Sequence, residues 1–339
     1  MVTCNGFSFS FSMCEEVSRE FCRQLAKVEL HAHLNGSIPM NTLLELSKEQ
    51  GKENLTDSSF LLGNRGDRSL EECFKLFDVV YQLTKDDDTI YRITKDVIKS
   101  FADDNVKYLE LRTTPKVNPA TNRTKDSYIQ AVLRGTRECN HDNSLDIQTR
   151  ILISIDRRLP LSDAEEAVDL ALKYKDQGVV GLDWCGNPEI GSFSTFLPAF
   201  KRGREQGLKI TLHFAEVDEP ENVQDILKFR PDRIGHATVL CDDAVSQLHD
   251  NPIPMEICFT SNLLCQTVTE GTKHHFGVFH PLDYPLAICT DDKGVFGSDL
   301  SDEYYLIAQA FNLTQQQVIT LANSAHSLIF DTNCPVPSN

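Results

Sequence analysis

The chain has 339 residues, 40% of them apolar and 24% charged, a globular composition with no run of transmembrane length. Its 33 basic and 50 acidic residues leave a formal charge of −17, which disfavours nucleic acid and anionic membrane as partners but not a small anion held by a few local cations. Eleven cysteines, odd in number and without a CxxC pair, exclude a disulfide framework or a zinc finger, so a reduced, cytoplasmic protein is expected.

Residues 1–24 read as an N-terminal extension ending in a short helix, without the basic start of a signal peptide. The first strand is KVELHAH (27–33). Residues two apart in a strand point the same way, so His31 and His33 share a face. The segment near 49–68 is polar, Gly-rich and too long for a tight connection, which predicts a lid-like insertion over the end of that strand. Ser69 and Glu72 then make a capping box before EECFKLFDVVYQL, whose Phe74, Phe77 and Tyr81 share a helical face. Ile90, Ile93, Val97 and Phe101 form a second helical stripe.

Further apolar runs follow at VKYLELRTTP (106–115), IQTRILISID (147–156), VVGLDWCG (179–186), LKITLHFAE (208–216), RIGHAT (233–238), IPMEICFTSN (253–262) and YPLAICTDD (284–292). Helical patterns such as SDAEEAVDLALKYKDQG (162–178) and SDEYYLIAQAFNL (301–313) lie between or after them. Near-continuous apolar strands alternating with helices predict an α/β fold, an eight-stranded β/α (TIM) barrel spanning 25–332 as a single domain. Its site lies at the strand C-terminal ends.

Polar residues collect at those ends. Strand one supplies His31 and His33, strand five His213 with Glu216 three residues on, strand six His236, and strand eight Asp291 and Asp292. Closure puts strand eight beside strand one, so His31, His33, His213 and Asp291 are candidate metal ligands. Three imidazoles and a carboxylate suit Zn2+, one per chain, with room for an exchangeable water. His236 is placed to orient that water or accept its proton. Glu216 suits a proton shuttle, or else a salt bridge at a helix start. Strand four ends Asp183-Trp184-Cys185-Gly186 without a lysine to bridge two metals, which favours one ion while Asp183 leaves two open. Gly186 permits close backbone approach by a ligand. The H-x-E and P-C-x-x-C signature of nucleic-acid deaminases is absent.

Together VELHAHLNGS, VVGLDWCGNPE, LHFAE, RIGHAT and CTDDKG resemble the adenosine/AMP deaminase family, from about residue 25 onward. Asn35 in HLNGS and TDDKGVF (290–296) are similar to the branch that acts on N6-methyl-AMP. The resemblance implies a metal-dependent hydrolase barrel, with His31, His33, His213 and Asp291 as zinc ligands. It implies Glu216 as proton donor to purine N1 and His236 beside the zinc-bound water. Gly186 would meet the ring, Asp292 would bind N7, and His33 and Asn35 would face the sugar. Tyr81, Thr113, Thr114, Pro115, Lys116 and Asp156 correspond to further nucleotide-binding positions. The implied reaction is hydrolysis of N6-methyl-AMP to IMP and methylamine. A deaminase of the nucleoside adenosine and a non-catalytic purine-binding barrel are the alternatives.

Four positions depart from the family pattern: Ala215 and Ala237 stand where ordinary adenosine deaminases have glycine, Tyr81 where the branch has histidine, and Lys116 where it has arginine. Lys116, with either Arg157 or backbone donors, is expected to offset the chain's repulsion of a phosphate. No pattern encodes a subunit interface, so a monomer is expected.

Overall fold

In the computed structural model, residues 16–56, 70–334 and 339 are described, with backbone alone for 56 and 70–75. Eight parallel strands run in chain order around one sheet: β1 (Lys27–His33), β2 (Val106–Thr113), β3 (Gln148–Asp156), β4 (Val179–Cys185), β5 (Lys209–Phe214), β6 (Arg233–His236), β7 (Met255–Ile257) and β8 (Leu286–Ile288). A parallel bridge between Ala32 and Asp291 brings the last strand to the first. There the His33 N–H donates to the Asp291 carbonyl at 2.9 Å and the Asp291 N–H to the His31 carbonyl at 2.8 Å. The expected eight-stranded α/β barrel is therefore observed.

Two strands are shorter than the apolar runs suggest. The run 253–262 was expected to stay extended, but the ladder to β8 ends where Ile257 pairs with Ile288. Without a partner beyond that point the chain turns at Cys258 into a helix, Phe259–Leu264, and Ser261 and Asn262 swing back over the barrel. For the same reason 284–292 pairs only over Leu286–Ile288 and touches β1 again at Asp291.

Helices cover the outside. Asp87–Asp103 buries Ile90, Ile93, Val97 and Phe101, the stripe read from the sequence, and its N-cap Asp86 accepts from the Thr89 N–H at 2.8 Å. Helix Leu70–Leu83 also forms, with Phe77 stacked on Tyr81 at 6.4 Å between ring centres. The capping box at Ser69 and Glu72, the Phe74 side chain and most of the candidate lid lie outside the described residues. A short helix, Arg19–Gln24, precedes β1. Among the described residues no helix is long and apolar enough to cross a membrane.

The barrel interior is unusually charged. Side chains two apart face inward together, so Glu29, His31 and His33 line one strand and Glu110 and Arg112 the next. Such charges are tolerated in a dry interior only when paired. Arg233 bonds Glu110 and, at 2.7 Å, Glu256 Oε1, while Glu256 also accepts from Thr211 at 2.8 Å.

Candidate active site

Because β1, β5 and the turn after β8 end at one rim, His31, His33, His213 and Asp291 converge, their ligand atoms all within 4.8 Å of one another. His33 Nε2 lies 3.1 Å from His213 Nε2 and 3.4 Å from Asp291 Oδ1, and His31 Nε2 lies 3.5 Å from the same oxygen. Donors about 2.0–2.1 Å from one shared ion stand roughly 3–3.5 Å apart, so this spacing fits one metal ion, to which a water would add as a fifth ligand. His31 Nε2 is buried and has no hydrogen-bond partner among the described residues, as a ligand nitrogen would be. A second grouping substitutes His236 and Cys258 for His33 and His213. Burial pushes the Cys258 thiol well above its ordinary range, so it stays protonated and is a poor donor.

The far nitrogen of two of these rings is held by a carboxylate. His31 Nδ1 lies 2.7 Å from Glu256 Oε2, and His213 Nδ1 3.0 Å from Asp183 Oδ1. Such contacts set the tautomer and aim Nε2 at the shared centre. One arginine, Arg112, donates to both carboxylates, at 2.9 Å each, and Ser154 donates to Asp183 at 2.8 Å. Burial opposes ionisation of Asp183 and Glu256, yet the cations beside them, Arg112 above all, hold both well below the usual carboxylate range. Asp183 is thus occupied with Arg112, Ser154 and His213. Its sequence position had left it open as a bridging ligand.

Glu216 leaves 20% of its side chain accessible at the rim, with Oε2 3.7 Å from His236 Nε2. Burial pushes its carboxyl up to about 7. Asp292, buried beside Asp291, is raised well above the ordinary range by burial and by that neighbour's charge. Gly36 makes room for it: a Cβ there would stand 1.6 Å from Asp292 Oδ1. Asp291 Oδ2 accepts from Ser261 at 2.7 Å. Ala215, His236, Ala237 and Asp291 all have left-handed backbone, φ +51°, +63°, +58° and +63°. Strain of this kind gathers where strand ends are bent to present side chains.

The remaining sequence-predicted positions divide. Asn35 sits in the turn after β1, its Oδ1 buried and unbonded among the described residues. Asn35, Tyr81 and Lys116 line a cavity of about 260 Å³ together with Lys85 and Arg123. Lys116 Nζ lies 3.8 Å above the Tyr81 ring, so its charge is partly engaged there. The Thr113 hydroxyl bonds Tyr128 at 2.7 Å and Thr114 faces the Cys185 sulfur at 3.7 Å; Pro115 is buried. Asp156 is paired with Arg158, whose Nε lies at 2.8 Å, and packs against Gly186, where a Cβ would come within 2.5 Å of its Oδ1. Arg157, expected beside the phosphate, bonds Glu219 at 2.7 Å and stacks 3.9 Å over Trp184, while its Nη1 is buried without a partner among the described residues. The sequence reading missed Arg112 and Glu256, although a lone charge inside an apolar strand, as in YLELRT and PMEIC, is the sign of a buried ion pair.

Residues 26–332 match the family model described as adenosine deaminase. A mouse N6-methyl-AMP deaminase is 44% identical over 322 residues, 92% of this chain and 89% of that protein. The apo structure of the N6-methyl-AMP deaminase from Arabidopsis thaliana superposes with a TM-score of 0.87 at 42% identity, covering 93% of this chain and 95% of that one. An Arabidopsis ADAL complexed with IMP gives 0.85 at 42% identity, covering 93% and 94%. With the family model spanning the barrel and relatives this similar along nearly its whole length, the chain belongs to the adenosine deaminase family.

Proposed function

We propose that the protein is a zinc-dependent hydrolase that converts N6-methyl-AMP to IMP and methylamine, with one zinc ion held by His31, His33, His213 and Asp291. The observation that carries this reading is the convergence of those four donors beside Glu216 and Asp292 at one rim. The relatives with N6-methyl-AMP deaminase names and the IMP complex of one of them support the choice of substrate.

Zinc, when bound, supplies an acidified water as nucleophile at neutral pH. Glu216, in its protonated form, gives its proton to purine N1 as the oxygen adds to C6, and electrons of the ring move onto N1. The proton shed by the water returns to Glu216. As C6 becomes a carbonyl and the C6–N6 bond breaks, the same carboxyl passes the hydroxyl proton to N6, and methylamine leaves neutral. Asp292, kept protonated by burial, donates to N7 and so fixes the purine. His33 and Asn35 face the sugar, Gly186 the ring, and Lys116 with the cationic cavity the phosphate. Thr113 to Pro115 and Asp156 shape that side of the pocket.

The nucleoside reading has one observation in its favour, the contact of Lys116 with Tyr81, which draws the cation away from a phosphate. A non-catalytic barrel is disfavoured because the ligand set and Glu216 are both in place. Elemental analysis for stoichiometric zinc, joined to detection of methylamine released from N6-methyl-AMP, tests the proposal; absence of both results would reject it.

A further inference from the structure

His236 faces the reaction centre through Nε2, which is buried and unbonded among the described residues, 3.7 Å from Glu216 Oε2. Whether that nitrogen carries a proton or a lone pair decides what it can do. A chain of hydrogen bonds running away from the site answers this.

The chain starts at the backbone N–H of Phe276, which lies 3.1 Å from His274 Nδ1. A backbone N–H can only donate, so Nδ1 of His274 is an acceptor. Burial pushes His274 down to about 4, so the ring is neutral at physiological pH and its one proton sits on Nε2. That Nε2 lies 3.0 Å from the Asn262 side-chain oxygen and donates to it. The Asn262 amide is thereby oriented, and its nitrogen points at His236 Nδ1 across 3.0 Å. An amide nitrogen donates, so His236 Nδ1 accepts. The proton of neutral His236 is left on Nε2, facing the reaction centre.

We infer that Asn262 and His274 are positioning residues that fix His236 as the Nε2–H tautomer, so that it donates a hydrogen bond to the attacking oxygen and does not remove that oxygen's proton. The helix that begins at Phe259, where the sequence suggested continued strand, is what carries Asn262 to this place. In the reaction proposed above, on which the catalytic half of this inference rests, both protons of the water then travel by Glu216 alone. His236 steadies the oxygen while charge develops on it.

The tautomer itself is readable without turnover. Zinc-loaded protein labelled with 15N-histidine is expected to show His236 and His274 as neutral rings protonated at Nε2, assigned through the His236→Gln and His274→Gln spectra. The isosteric change Asn262→Asp accepts from both neighbours, which moves the His236 proton to Nδ1 and leaves a lone pair on Nε2. That variant is expected to keep zinc, with some loss of stability from the buried carboxylate, and on the protein that remains folded to lose on the order of a hundredfold or more in kcat, as expected when a catalytic imidazole is held in the wrong tautomer. His274→Gln, whose amide N–H can replace the Nε2–H, is expected to retain more kcat than His274→Leu. An Nδ1–H signal for His236 in the unaltered protein would overturn the tautomer assignment, and an unchanged kcat in Asn262→Asp would overturn the positioning role. A protein inactive on every purine tested would instead reject the proposed reaction and leave the spectrum to decide the tautomer.

Discussion

Asp183 and Glu256 are held by one guanidinium: Arg112 Nη1 lies 2.9 Å from Asp183 Oδ1, and its Nη2 2.9 Å from Glu256 Oε2. Each carboxylate also holds a histidine of the candidate metal site, so a single side chain on β2 braces rings on β5 and β1. Arg112→Met therefore leaves two buried carboxylates short of their cation, at a cost of about 3–5 kcal/mol in stability. Zinc affinity should fall about 10–100-fold, read by chelator competition on protein that remains folded. Arg112→Lys should recover little of it, because one ammonium does not reproduce a planar fork. Undiminished affinity in both variants would show that the rings hold themselves.

In the proposed reaction Glu216 acts as an acid, and burial brings its carboxyl up to about 7. The donating form is the protonated one. It is present below that pKa and is lost as pH rises through it, so kcat/KM should descend above about pH 7. Glu216→Gln should abolish that limb and lower kcat by about 10²–10⁴-fold while zinc content stays the same. A limb that persists in Glu216→Gln would assign it to another group.

Gly36 and Asp292 are packed so closely that any side chain at 36 must move the carboxyl. Gly36→Ala should lower kcat/KM on purines about a hundredfold, the scale of a misplacement near 1 Å, with zinc retained. Loss of zinc together with activity would mean that the turn after β1 had collapsed and that Asp292 was not the group affected.

Ala215 and Ala237 hold left-handed backbone that glycine adopts without strain. Part of the relief is offset by the greater freedom of glycine in the unfolded chain. Ala215→Gly and Ala237→Gly should each raise stability by up to about 1 kcal/mol, or about 2 °C in Tm, by calorimetry. A fall in Tm would mean that the methyl groups contribute more by packing than they cost by strain.

The barrel and the convergence of its histidines were legible in the sequence because both rest on short-range regularities. Period-two placement put His31 and His33 on one face, and near-continuous apolar runs announced parallel strands, whose C-terminal ends are the site. What could not be read depended on where ladders end and on which charges meet. Nothing local in ICFTSN says that Ile257 is the last paired residue, and so the helix that positions Ser261 and Asn262 was missed. Arg112, Asp183 and Glu256 come from β2, β4 and β7, and only closure brings them together. Arg157 and Arg158 are adjacent, yet one turns to Glu219 and the other to Asp156, a choice set by neighbours far along the chain.

The central claim is that the substrate is a nucleotide bearing an N6-methyl group. Its most direct test is a comparison of kcat/KM for N6-methyl-AMP, AMP, N6-methyladenosine and adenosine on zinc-loaded protein. The account predicts that N6-methyl-AMP is turned over fastest and that removing the phosphate lowers kcat/KM at least tenfold, the worth of one charge-assisted hydrogen bond of about 1.5 kcal/mol or more. Equal rates with and without the phosphate, or adenosine as the best substrate, would contradict it.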